Sequence, residues 1–185
     1  MIGLLRIRTA AHHHSMESDL RIEERLSTVN TRGPLIDGYN AFYRKSEAVL
    51  RPHLWDMCDL TFISRFRSRK IPTKTGLACP GNPLVDLVFP AVGTKAEALG
   101  AMYVLEGSTL GGKIILKTLR GKGVQTNELD FLDPYGKNAG ALWRVFLRVL
   151  ERETTPDPTA MNECVSGAIK AFVFAAACLH QEKDN

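Results

Sequence analysis

Three consecutive histidines, His12, His13 and His14, stand near the start of the chain inside a helical pattern. Leu5, Thr9, His13, Met16 and Leu20 return at three- and four-residue steps and, at roughly 100° per residue, fall within about 80° of arc, one face of a helix. On that wheel His13 joins the apolar stripe, His12 borders its other edge and His14 points to solvent. A neutral imidazole facing an apolar crevice is suited to be an axial ligand for haem iron. Arg6 precedes His13 by two turns, about 10 Å along the axis on nearly the same face. Its guanidinium could hold an anionic group at the edge of such a ligand, because the fork matches a carboxylate in bidentate fashion. Glu17, one turn after His13, could accept from the second ring nitrogen. A solvated charge at the border of the face is an equal reading of Glu17.

A second chemical signal lies in the middle of the chain, where Gly107, Gly111 and Gly112 interrupt a strongly helical segment. Each interior glycine costs about 1 kcal/mol relative to alanine, so bare backbone must serve a purpose there. Gly100, Tyr103, Gly107, Leu110, Gly111 and Ile114 share one stripe of the wheel. Two explanations compete: close packing of a second helix through small residues, or a flat ligand lying across a helix kinked at its glycines.

The elements that must position these residues are helices. The periodicity predicts a first helix from Leu4 to about Ser27. A second is opened by Pro34 and runs to about Leu50, and a third starts at Pro52 and carries Trp55, Leu60 and Phe62. Between Ser68 and Gly93 the glycines and prolines imply loop, with at most a short helix at Leu84–Val88. A long helix is expected from Lys95 to Arg120, ended by Gly121 and Gly123. Two more follow, near Ala139–Arg152 and Thr159–Gln181. There is little strand alternation, and the expected architecture is all-α with about six helices in one domain spanning residues 1–185.

The 185 residues are 44% hydrophobic and 24% charged, which excludes a disordered chain. No uninterrupted apolar run reaches the roughly 18–20 residues of a membrane span, and the start lacks the pattern of a signal peptide. Cys58, Cys79, Cys164 and Cys178 are widely spaced, which fits reduced thiols in the cytoplasm better than a disulfide framework or a zinc site. The net charge of +4 is mild, and nothing points to nucleic acid. Arg65, Arg67, Arg69, Lys70 and Lys74 form a basic run, read first as solvated surface and second as a docking patch for an acidic electron donor. No G-x-G-x-x-G or P-loop is found, so no nucleotide cofactor is expected on this chain. The aromatic stripe Trp143, Phe146, Leu150 reads as core, as do Phe172 and Phe174.

Leu5-Arg6-x-x-Thr9-x-x-x-His13-x-x-Met16-Glu17 resembles the N-terminal signature of the biliverdin-producing haem oxygenases. Tyr103-Val-Leu-Glu-Gly107-Ser108-Thr-Leu-Gly111-Gly112 looks like the distal-helix signature of the same family. It is most similar to the bacterial branch found alongside bacteriophytochromes, as is Phe131-Leu-Asp-Pro-Tyr-Gly followed by Trp143-x-x-Phe146. The resemblance implies a helical bundle with haem between a proximal first helix and a glycine-kinked distal helix. It implies His13 as iron ligand, with Arg6 and Tyr103 at the propionates and Gly107 and Gly111 against the distal face. Ser108 stands where many animal-type members have an aspartate, and the proton path is left unassigned. The implied reaction converts haem to biliverdin, CO and ferrous iron with O₂. Its electrons come from an external ferredoxin- or reductase-type donor. A non-catalytic haem-binding or haem-sensing protein on the same scaffold is the alternative.

Overall fold

The computed structural model describes residues 1–57, 65 and 83–180; within 17–19 only the backbone is described. Among these residues there are six α-helices and no β-strand: α1 (Ile2–Asp19), α2 (Ile22–Ser27), α3 (Val29–Leu54), α4 (Lys95–Gly121), α5 (Ala139–Thr154) and α6 (Pro158–Leu179). Two short 3₁₀ turns, Asp130–Leu132 and Gly136–Asn138, join α4 to α5.

Helix α6 is the spine. It packs along α4 and also against α1 and α3, whereas α1 and α4 make little direct backbone contact with each other. The α4–α6 seam is closed by glycine. A Cβ on Gly100 would lie 1.8 Å from the Cys164 carbonyl oxygen, and one on Gly167 would lie 1.8 Å from that of Glu97. No side chain fits there, so the two backbones touch. Around this seam Leu99, Met102 and Leu105 of α4 join Ala168, Ala171 and Phe174 of α6 and Leu35, Phe42 and Leu50 of α3 in one buried core.

Local signals fix the ends of the long helices. The Thr94 hydroxyl accepts from the Glu97 N–H at 3.2 Å while the Glu97 carboxylate accepts from the Gly93 N–H at 2.8 Å, a reciprocal cap that starts α4. Asp157 accepts from the Thr159 N–H at 2.8 Å and Pro158 opens α6. As expected, α4 stops at Gly121, and Gly123 turns the chain with φ 74°.

Elsewhere the boundaries differ from the sequence expectation. The first helix is broken after Leu20, where Arg21 adopts a left-handed φ of 43°. The break is anchored: Leu20 is buried, and the Arg25 guanidinium donates to the Leu20 carbonyl at 3.4 Å and to the Leu179 carbonyl at 2.6 Å. Pro34 does not open the second helix but lies inside α3, capped earlier at Thr28. Its ring sits close enough to the N-terminus that the hydrogen bond it removes falls in an exposed turn. Pro52 starts no helix and lies in the last turn of α3. Residues 83–86 form a turn rather than a helix, and α6 ends at Leu179, short of Gln181. Leu60 and Phe62 lie outside the described residues.

By length and composition α6 is apolar enough to cross a membrane, with a mean hydropathy of 1.3 over its best window. Counting uninterrupted apolar runs missed this, because polar residues punctuate it. Half of that window is buried against the other helices, the pattern of a central core helix.

Candidate functional site

The residues expected to face one another across α1 and α4 meet at Arg6 and Tyr103. The Arg6 guanidinium lies near enough to the Tyr103 phenol to act on its ionisation. Burial raises the phenol's pKa above its ordinary value, and the arginine partly offsets that rise. Tyr103 packs at 5.4 Å on Trp143, which stacks at 5.7 Å on the buried Phe146. The stripe read as core therefore carries Phe146 and Leu150 into the interior, while half-buried Trp143 reaches up to the α4 surface.

The glycines of α4 divide into two sets. Gly100 and Gly112 are consumed by packing: a Cβ on Gly112 would lie 2.2 Å from the Leu132 carbonyl oxygen. Gly107 and Gly111 are not. Among the described residues, a Cβ on Gly107 would meet only the tip of Trp143 at 3.8 Å, an ordinary contact, and one on Gly111 would meet nothing within 4 Å. Gly111 is exposed, as is the side chain of Ile114 on the same stripe. Helix packing thus explains Gly100 and Gly112, whereas among the described residues Gly107 is only bordered by Trp143 and Gly111 is exposed. The helix itself runs without interruption through all of them.

On α1 the packed line is buried Leu5, Thr9 and Leu20 with half-buried His12 and Met16, while His13 and His14 are exposed. The expected stripe is thereby corrected by one position. His12, at about −20° from Leu5 on the wheel, lies nearer the centre of the packed face than His13 at about 80°. Both rings abut Phe172 of α6, His12 at 6.4 Å and His13 edge-on at 6.1 Å. His13 shares the side of α1 that carries Arg6, seven residues earlier, and Arg6 is the residue that reaches α4. The Glu17 side chain lies outside the described residues.

Tyr43, Glu106 and Tyr135, which the sequence reading did not assign, complete the surroundings. Ser108 donates to the Leu105 carbonyl at 2.7 Å, and its oxygen lies 3.1 Å from the hydroxyl of buried Tyr43 on α3. Since a serine hydroxyl has one proton, Tyr43 is the donor in that arrangement. Glu106, next to Gly107, is fully buried and pairs at 2.5 Å with Arg65, which is equally buried. Tyr135 donates to the other Glu106 oxygen at 3.0 Å, and Arg65 also donates to the Leu142 carbonyl at 3.3 Å. Arg65 is therefore not part of a solvated surface; the other members of the basic run lie outside the described residues. A signal for this network existed, because a carboxylate in the apolar stretch Ala101–Leu110 requires a buried partner.

These residues fit a planar, dianionic, metal-bearing ligand: an arginine and a tyrosine at one edge, an accessible imidazole on their side of α1, and side-chain-free backbone on α4. The chain is 31% identical over 124 residues to a haem oxygenase of Xanthomonas campestris pv. campestris (strain 8004), covering 64% of this chain and 71% of that protein. It belongs to the haem oxygenase family. No family model matches it, and no solved structure matches it significantly.

Proposed function

We propose that this protein cleaves haem oxidatively to biliverdin, CO and ferrous iron, using O₂ and electrons from an external ferredoxin- or reductase-type donor. The observation that carries this reading is that Gly107 and Gly111 are left bare where Gly100 and Gly112 are filled. A helix that merely packed against neighbours would gain about 1 kcal/mol from alanine at each open position.

In this reading His13 holds the iron, Arg6 and Tyr103 hold the propionates, and Gly107 and Gly111 let the backbone approach the distal face. Haem held at His13 would supply the oxygen chemistry. The protein's own part is positional. Arg6 neutralises carboxylate charge while Tyr103, wedged on Trp143, fixes the depth of the ligand edge. Backbone at Gly107 and Gly111 leaves room on one side only. Ser108, held by Tyr43, keeps a hydroxyl beside that space where an aspartate stands in animal-type members, and so can hold or pass a proton.

The distal motif and the Phe131–Gly136 segment favour the bacteriophytochrome-associated branch. A reducing cytoplasm suits the buried free thiols of Cys164 and Cys178, both pushed up to about 12 by burial and thus inert. The decisive experiment adds haem and a reductant in air to the purified protein and identifies the product. A biliverdin spectrum with CO release supports the proposal; a stable histidine-ligated haem band without turnover assigns the protein to haem binding or sensing instead.

A further inference from the structure

Three adjacent histidines offer three candidate ligands, and the fold treats them differently. Successive side chains on a helix diverge by about 100°. His12 points into the α1–α6 interface, where its Nδ1 is buried and has no hydrogen-bond partner. His13, on the side of Arg6, is exposed. Phe172, itself buried, is the ring neighbour of both, 6.4 Å from His12 and tilted by 31°, 6.1 Å from His13 and edge-on at 75°.

An orphaned imidazole nitrogen is costly, so His12 would gain by turning out to any metal or water within reach. On the α6 side the neighbour such a turn has to pass is the ring of Phe172, 6.4 Å away. The same ring borders His13 along an edge, which restricts the plane that its imidazole can present.

We infer that Phe172 is a positioning residue that packs His12 inward and so commits His13 to be the sole haem ligand in a fixed ring orientation. The inference rests on the haem reading above. Its test is therefore spectroscopic and includes the wild-type protein as arbiter of that reading. Haem is added to the wild-type protein, F172L, H12A, F172L/H12A and H13A, with far-UV circular dichroism checking each fold. Electron paramagnetic resonance of the ferric form and the iron–histidine stretch of the ferrous form report the ligand.

Wild type and H12A are expected to share one histidine-ligated signature. F172L should show a second histidine-ligated population, which F172L/H12A removes. H13A should lose histidine ligation altogether and regain it with added imidazole. An unchanged single signature in F172L overturns the inference, as does a second population that survives F172L/H12A. Histidine ligation in H13A that disappears in H12A/H13A overturns it too, because Phe172 would then not be restraining His12; this arm decides the matter should F172L fail to fold. A wild-type protein with no histidine-ligated band is a failure of the haem reading, not of the role of Phe172.

Discussion

The hydroxyl of Tyr43 lies 3.1 Å from the Oγ of Ser108, tying the middle of α3 to the residue that follows Gly107. Removing it breaks one hydrogen bond and leaves the ring in the core, stacked at 6.1 Å on Tyr39. Y43F should therefore cost only about 1 kcal/mol in denaturant unfolding. If Ser108 works with Tyr43 in proton handling, haem affinity should hold while biliverdin formation slows by about 100-fold, the lower end of what positioned acids and bases contribute. Equal losses in affinity and rate would speak against that role.

The division of the α4 glycines makes opposite forecasts for the same substitution. G111A places a methyl group in open space and should gain up to about 1 kcal/mol in thermal or chemical unfolding, yet weaken haem binding or turnover. G100A drives a Cβ into the Cys164 carbonyl and should destabilise by about 3 kcal/mol, at the upper end of overpacking costs. A G111A protein that is both more stable and fully active would remove the main support for a ligand on that face.

Glu106 and Arg65 form a buried pair whose partners cannot be separated cheaply. E106A removes the buried carboxylate that Arg65 and Tyr135 share and should cost about 3–5 kcal/mol. Y135F removes one neutral donor to the same carboxylate and should cost about 1–2 kcal/mol. Denaturation midpoints at constant m-value would measure both.

Glu97 links the start of α4 to α6 and carries a pH prediction. Burial raises its pKa, but hydrogen bonds from Lys170, Gly93 and Ser166, with the Lys170 charge, outweigh that and hold it below the ordinary 4.5. A carboxyl depressed in the folded state binds fewer protons there than in the unfolded chain. Its stabilisation is thus full above about pH 4.5 and is lost as pH falls through the lower folded value. E97Q should flatten the unfolding free energy against pH in that acid window and leave the slope near neutrality unchanged.

The helices themselves were legible because apolar periodicity is a local property: α4 was expected at Lys95–Arg120 and is found at Lys95–Gly121. Boundaries failed where a long-range contact decided them. Nothing near Arg21 signals a left-handed turn; its anchor is Arg25 on the carbonyl of Leu179, at the other end of the chain. Pro34 looked like a start because proline favours first turns, and α3 simply began one turn sooner. At the site, Arg6 and Tyr103 were readable as chemical types, and the arginine stands near enough to the phenol to oppose its rise in pKa. His12 and His13 were interchanged in burial because the wheel gives angles and not the direction of the neighbour, which Phe172 supplies. Tyr43 could not be found, since its role depends on α3 crossing α4 at Ser108.

The seam at Gly100 and the contact at Gly112 together act as two rivets on α4. They are twelve residues apart, about 18 Å of helix, and the open glycines lie between them. That span is a fixed wall: its backbone cannot retreat at either end without separating main chains already in contact. A flat guest laid on that span rests against backbone held at both ends, and the element on its other side, α1, packs on α6 and turns at the left-handed Arg21.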